Sequence, residues 1–97
     1  MQAGVAAAHF IAGRYDEACL WAELALKDQP RFGSALRTAT ASHALAGRQQ
    51  EAQRFFACLH MADPGLRAAN VQDRVAYRRP ADNARLVEGL RKAGLAE

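Results

Sequence analysis

The chain has 97 residues, of which 51% are apolar and 24% charged, and it carries a net charge of +3. That length suits one domain around a single core, and the balance of apolar and charged residues excludes a disordered chain. The positive excess is mild and contains no run of five or more Lys or Arg, so nothing directly favours a nucleic-acid or anionic-membrane partner.

Ala and Leu dominate the apolar residues. They lose little side-chain entropy in a helix, which predicts close-packed helices rather than sheet. Residues 2–12 read as a first short helix with Val5, Ala8, Phe10 and Ile11 available to pack. Gly13 follows as a helix-ending residue that can take the left-handed conformation. A second helix starts with Asp16 and Glu17 in its first turn, where carboxylates suit the positive end of the helix dipole. Its stripe is Ala18, Trp21, Ala22, Ala25 and Leu26, spaced i, i+3, i+4, i+7, i+8. Asp28-Gln29-Pro30 ends it.

A third helix is predicted from Phe32 to Leu45, with Leu36, Ala39, His43 and Ala44 on one side and Gly47 closing it. The fourth runs from Glu51 to Met61 and carries Ala52, Phe55, Phe56 and Leu59 as its stripe. Asp63-Pro64-Gly65 breaks the chain again. Leu66 to Tyr77 reads as a fifth, more polar helix. A last helix, 80–93, starts at Pro80, where proline's missing N–H costs nothing, and ends at Gly94. Leu86, Val87, Leu90 and Ala93 form its stripe; Asp82, Arg85, Glu88, Arg91 and Lys92 are expected on its outer face, with Glu88 and Lys92 as an i,i+4 pair.

Five anchors recur at a fixed step. Gly13 and Gly47, Arg14 and Arg48, Glu17 and Glu51, Ala18 and Ala52, and Pro30 and Pro64 are each 34 residues apart. A period of about 34 residues is the length of a helix–turn–helix solenoid unit. The step fails in the third unit, where Ala81 stands in place of the glycine due there.

Gly13-Arg14-Tyr15-Asp16-Glu17-Ala18 with Ala25 and Pro30, and Gly47, Glu51, Ala52, Phe56 and Pro64 in the second copy, resemble the tetratricopeptide repeat (TPR). The resemblance covers residues 1 to about 78 and implies an all-α solenoid of antiparallel helix pairs, about two and a half repeats plus a capping helix. The units would be 1–30, 31–64 and a partial 65–79, followed by 80–97 as capping helix and tail, within a single domain 1–97. In the family's register Met1 falls inside a helix, so the chain is expected to be a piece of a longer protein or to have a trimmed first unit. The tail Tyr77-Arg78-Arg79-Pro80-Ala81-Asp82 with Gly89-Leu90-Arg91-Lys92-Ala93-Gly94-Leu95 is similar to the end of bacterial signalling regulators that join a nucleotide-cyclase or winged-helix domain to such repeats.

The family lines its concave groove with the first helix of each unit. Carried onto this chain, the candidate partner-binding residues are Arg37, Thr38 and Ala41 in the second unit and Gln72, Val75, Arg78 and Arg79 in the third. The groove would be basic at Arg37, Arg78 and Arg79. Guanidinium forks pair with carboxylates, so an acidic peptide or a C-terminal carboxylate fits them. The function implied is a non-catalytic protein–protein interaction module in a larger bacterial regulatory protein. Two alternatives are a nucleic-acid-binding helical module, prompted by the +3 charge and Arg78–Arg79, and a small-molecule sensor using Trp21 and Phe56. Self-contact or a homodimer is expected through the N-terminal end, where Val5, Ala8 and Phe10 would otherwise be bare.

No catalytic or cofactor constellation is legible. His9 and His43 recur at the repeat step but lack converging ligands, and they read as packed or hydrogen-bonded histidines. Ser42 and His43 are adjacent on a helix and do not face each other. Cys19 and Cys58 share no CxxC spacing, fall mid-helix and read as reduced, buried thiols. Trp21, Phe55 and Phe56 at helical spacing read as core. Met1-Gln2-Ala3-Gly4 lacks the basic start of a signal peptide, and no apolar run approaches the ~20 residues that span a bilayer. A cytoplasmic protein without a membrane anchor is the expectation.

Overall fold

A computed structural model describes residues 2–97. Six helices follow one another: α1 (Gln2–Ile11), α2 (Tyr15–Asp28), α3 (Gly33–Leu45), α4 (Gln49–Ala62), α5 (Val71–Arg74) and α6 (Pro80–Ala93), with a 3-10 turn at Ala68–Asn70 before α5. The described residues contain no strand, and none of their helices is long and apolar enough to cross a membrane.

Glycine sets the corners. Gly13, Gly47 and Gly94 have φ of 80°, 85° and 124°, in the region that a Cβ disfavours. At each, the residue after the glycine donates its N–H back five residues, from Arg14 to His9, Arg48 to His43 and Leu95 to Leu90. With the glycine N–H bonding back three residues, to Phe10, Ala44 and Arg91, this closure satisfies the last carbonyls of the helix. The two interhelix turns reverse the chain, so α1 packs on α2 and α3 on α4. Their interface residues are mostly alanine: Ala3, Ala6, Ala18, Ala22, Ala25, Ala35, Ala39 and Ala52 are all buried. Small side chains let helix axes approach closely, and Phe10, Leu36, Phe55 and Leu59 fill what remains.

The central element is α3. It packs against α1, α2, α4 and α6, and nine of its thirteen residues are buried. A helix packed against four others can carry little solvated polar surface, and eight of the thirteen residues of α3 are Ala, Thr or Ser. Thr40 donates its hydroxyl to the Leu36 carbonyl at 2.7 Å. The buried Ser42 hydroxyl has no partner.

The segment expected to form a fifth helix over 66–77 does not. It has the 3-10 turn, one helical turn from Val71 to Arg74, and extended backbone at Val75. Local side chains take the backbone groups that a helix would use. Asn70 accepts from the Arg67 N–H and donates to the Gly65 carbonyl. Asn83 holds both the N–H and the C=O of Tyr77. The N–H groups of Ala68 and Ala69 donate to the carbonyls of Ala96 and Glu97.

With that helix absent, α6 lies directly on α3. Gly89 meets Ala41 so closely that an added Cβ would stand 2.8 Å from the Ala41 Cβ and 2.9 Å from its backbone. Leu86 and Leu90 are buried beside this crossing. At the start of α6, Asp82 and Arg85 face inward, not outward as the helical stripe suggests. Arg85 donates to the carbonyls of Phe10 and Ile11 at 3.2 and 2.7 Å, to the Tyr15 hydroxyl at 3.0 Å and to Asp82 at 2.7 Å. It thus caps α1 and lies over the Phe10 ring. Phe10, expected at an open edge, is fully buried beneath it, whereas Val5 and Ala8 are exposed. Glu88, Arg91 and Lys92 do face solvent; Arg91 pairs with Glu97, and the described ion pairs include none between Glu88 and Lys92.

Gly89→Ala is expected to destabilise by about 1–3 kcal/mol in urea unfolding, because the new methyl meets backbone, despite alanine's better helix propensity. Unchanged stability would refute the close crossing. The carboxyl of Asp82 is held below its usual range, first by Arg85 and also by Arg79. Such a depressed group stabilises above its unfolded pKa of about 3.9, and its contribution is lost as pH falls through the folded value. Asp82→Asn therefore lowers Tm at pH 7, and the gap to the parent narrows as pH drops below about 4. An equal gap at pH 7 and pH 3 would refute this role.

Candidate functional site

The seven candidate groove residues end in different surroundings. Thr38 and Ala41 are buried, with 1% and 0% of their surface exposed, and Ala41 lies under Gly89 of α6. They cannot line an open groove. Gln72 is exposed on α5 and borders an open cleft with Pro80, Asn83, Ala84, Val87 and Arg91. Val75 is half-buried against the core. Arg78 is exposed and has no ion pair among the described residues. Arg79 is engaged, its Nε 3.1 Å from Asp82 Oδ2.

Arg37 is different from all of these. It springs from the second turn of α3, and its guanidinium packs back toward Gly33. The groups that act on it are Tyr77, Asp63 and Arg74. Asp63 is bonded instead to Arg74, Nε to Oδ2 at 2.9 Å and Nη2 to Oδ1 at 3.0 Å, and makes no hydrogen bond to Arg37. Arg37 makes no hydrogen bond or ion pair with any described residue. Burial pushes its pKa down, with Tyr77 and Asp63 opposing. Burial also raises Tyr77, and the Arg74 fork holds Asp63 low. The site is therefore a half-buried cation beside a closed ion pair and a neutral phenol. An incoming carboxylate is what its donors lack.

A second constellation sits where α3 meets α2. His43, 6% exposed, places Nε2 3.1 Å from Glu23 Oε2. Its Nδ1 receives a bond from Arg48 Nε at 2.9 Å, and its ring stacks on Phe55. Arg48 also donates to Asp16 at 2.8 Å and toward Cys19 Sγ at 3.5 Å. The histidine that recurs in the sequence is thus a satisfied core histidine here. The arginine five residues after it, also repeated, was the signal for this link.

The aromatic expectation holds in part: Phe55 is buried, while Trp21 and Phe56 are half-buried at the core's margin. The two cysteines differ. Cys19 is buried, but Cys58, expected in the core, is exposed because it lies on the outer side of α4. Burial pushes the Cys19 thiol up, against the lowering effect of Arg48. No three His, Cys, Asp or Glu side chains among the described residues cluster as a metal site.

With excess iodoacetamide at pH 8, Cys58 is expected to alkylate at least tenfold faster than Cys19, whose reaction follows unfolding. Equal rates by peptide mass mapping would contradict the buried placement. In comparisons with known proteins, no family model matches the chain, and neither does any curated protein or solved structure.

Proposed function

We propose that this chain is a non-catalytic protein-interaction module of TPR-like helix pairs, and that it takes an acidic segment at the Arg37 end of α3. The pairing of α1 with α2 and α3 with α4 at a 34-residue step supports the repeat reading. So does the matching turn geometry: Arg14 has φ −91° and ψ 78°, and Arg48 has φ −92° and ψ 73°. The tail's likeness to TPR-bearing bacterial regulators makes a signalling assembly the natural setting.

The observation that carries the ligand class is Arg37 itself. A half-buried guanidinium without a partner raises the free energy of the unliganded protein. A carboxylate from a partner would supply the missing acceptors in a partly dry setting, where charged hydrogen bonds count most. The exposed, unpaired Arg78 adds long-range attraction for an acidic chain. Since Thr38 and Ala41 are buried, the ligand would lie across the Arg37 end of α3 rather than along a concave groove.

The test is a fluorescence-anisotropy titration of the chain with a labelled eight-residue Asp/Glu peptide, run for the parent and for Arg37→Leu. Loss of one charge-assisted interaction, about 1.5–3 kcal/mol, corresponds to roughly 10- to 150-fold weaker binding. Arg37→Leu should keep or raise Tm, because it removes a desolvated charge. Equal affinity of the two proteins would overturn the site.

A further inference from the structure

The turn that ends α1 is a structural copy of the turn that ends α3. In both, a histidine four residues before glycine receives a bond at Nδ1 from the Nε of the arginine that follows the glycine. The distance is 2.9 Å for Arg14 to His9 and 2.9 Å for Arg48 to His43. The backbone closure is the same, with Arg14 N–H donating to the His9 carbonyl at 2.9 Å and Arg48 N–H to the His43 carbonyl at 2.9 Å. The ring and the guanidinium are therefore locked to each other before anything else touches them.

The second copy is occupied, and its occupant is α2. His43 Nε2 faces Glu23, and Arg48 reaches Asp16 and Cys19. Asp16, Cys19 and Glu23 are spaced i, i+3, i+7 along α2, which puts them on one side of the helix. Ala22, buried, lies between them. The His–Arg clip thus reads two carboxylates seven residues apart, separated by small side chains.

The first copy has no occupant. His9 Nε2 and the two terminal nitrogens of Arg14 are without partners among the described residues. The surrounding surface is bare in the same register. Ala39, Ser42 and His43 are buried on α3; their counterparts on α1 are Val5, which is 39% exposed, Ala8, which is exposed, and His9, which is half-exposed. This stripe is not a match for another copy of the chain stacked end to end. On α4 the positions equivalent to Asp16, Cys19 and Glu23 are Gln50, Gln53 and Ala57, which offer no carboxylate. The α2 helix of a second copy has its own carboxylates already engaged.

We propose that the exposed edge of α1, from Val5 through Ala8 and His9 to Arg14, docks a helix of another protein that carries acidic residues at i and i+7 with small residues at i+3 and i+6. The pattern is that of Asp16, Cys19, Ala22 and Glu23 in the occupied copy. It is independent of the acidic segment assigned to Arg37, which lies on a different surface.

The probe is a side-chain-stapled helical peptide with the sequence of residues 14–29, titrated into the isotopically labelled full chain and followed by amide chemical shifts. Shift changes are expected at Val5, Ala8, His9 and Arg14. Affinity should fall at least tenfold for Arg14→Ala, for Val5→Asp, and for a peptide with Asp16→Asn and Glu23→Gln. Arg37→Leu should leave it unchanged. Both protein substitutions are at exposed positions and are expected to leave the fold intact, as an unchanged amide spectrum elsewhere will show. Three results would overturn the proposal. They are no binding at millimolar peptide, shifts centred on Ala39, Ser42 and His43 from displacement of the chain's own α2, and concentration-dependent dimerisation of the chain alone that Val5→Asp abolishes.

Discussion

The crossing of α6 over α3, with Gly89 set against Ala41, is the constraint on which the remaining arrangement depends. A helix can be surrounded on every side only if its own side chains are short. Ala35, Ala39, Ala41 and Ala44 give α3 that slimness, and Thr38, Thr40 and Ser42 keep it without adding charge. The tight contact then fixes where α6 lies, and α6 in turn brings Arg85 onto the end of α1. A larger residue at position 89 or 41 would lift α6 and weaken both interfaces together.

Helix ends and repeat step were legible because their causes are local. Gly13, Gly47, Gly94 and Pro80 act through their own backbone preferences, and the last helix starts and stops where those residues predicted. The 66–77 segment is not one helix although its composition permits it, because Asn70 and Asn83 claim its backbone. That competition requires Gly65 and the tail carbonyls to be nearby, and proximity is a tertiary fact. Cys58 and Phe10 exchanged their expected environments for the same reason: periodicity marks a face, but not what will cover it. Of the candidate site, the basic residues were legible as residue types. That Arg79 is committed to Asp82 and Arg37 to nothing depends on the position of α6 and of the Asp63–Arg74 fork.

The arginines divide by what surrounds them. Arg54–Glu51 and Arg91–Glu97 are exposed pairs and add little to stability in water. Arg85 is a staple, its donors shared among two carbonyls, a hydroxyl and a carboxylate. Arg48 joins one helix pair to the next. Arg14 repeats that chemistry on a face with nothing opposite. Thus a net charge of +3, unremarkable as a total, includes arginines committed to the fold, such as Arg48 and Arg85, and others, such as Arg14 and Arg78, that face solvent.

The reach of Arg85 also bears on how the chain comes apart. In a linear array of repeats each unit touches only its neighbours, so the ends can fray while the middle stays folded. Here Arg85 and Phe10 are separated by 75 residues of sequence, and their contact ties the first helix to the last. Opening α1 would expose Arg85, unseat Asp82 and loosen the crossing on α3. The two ends are therefore coupled through Arg85, a link that favours their opening together rather than one at a time.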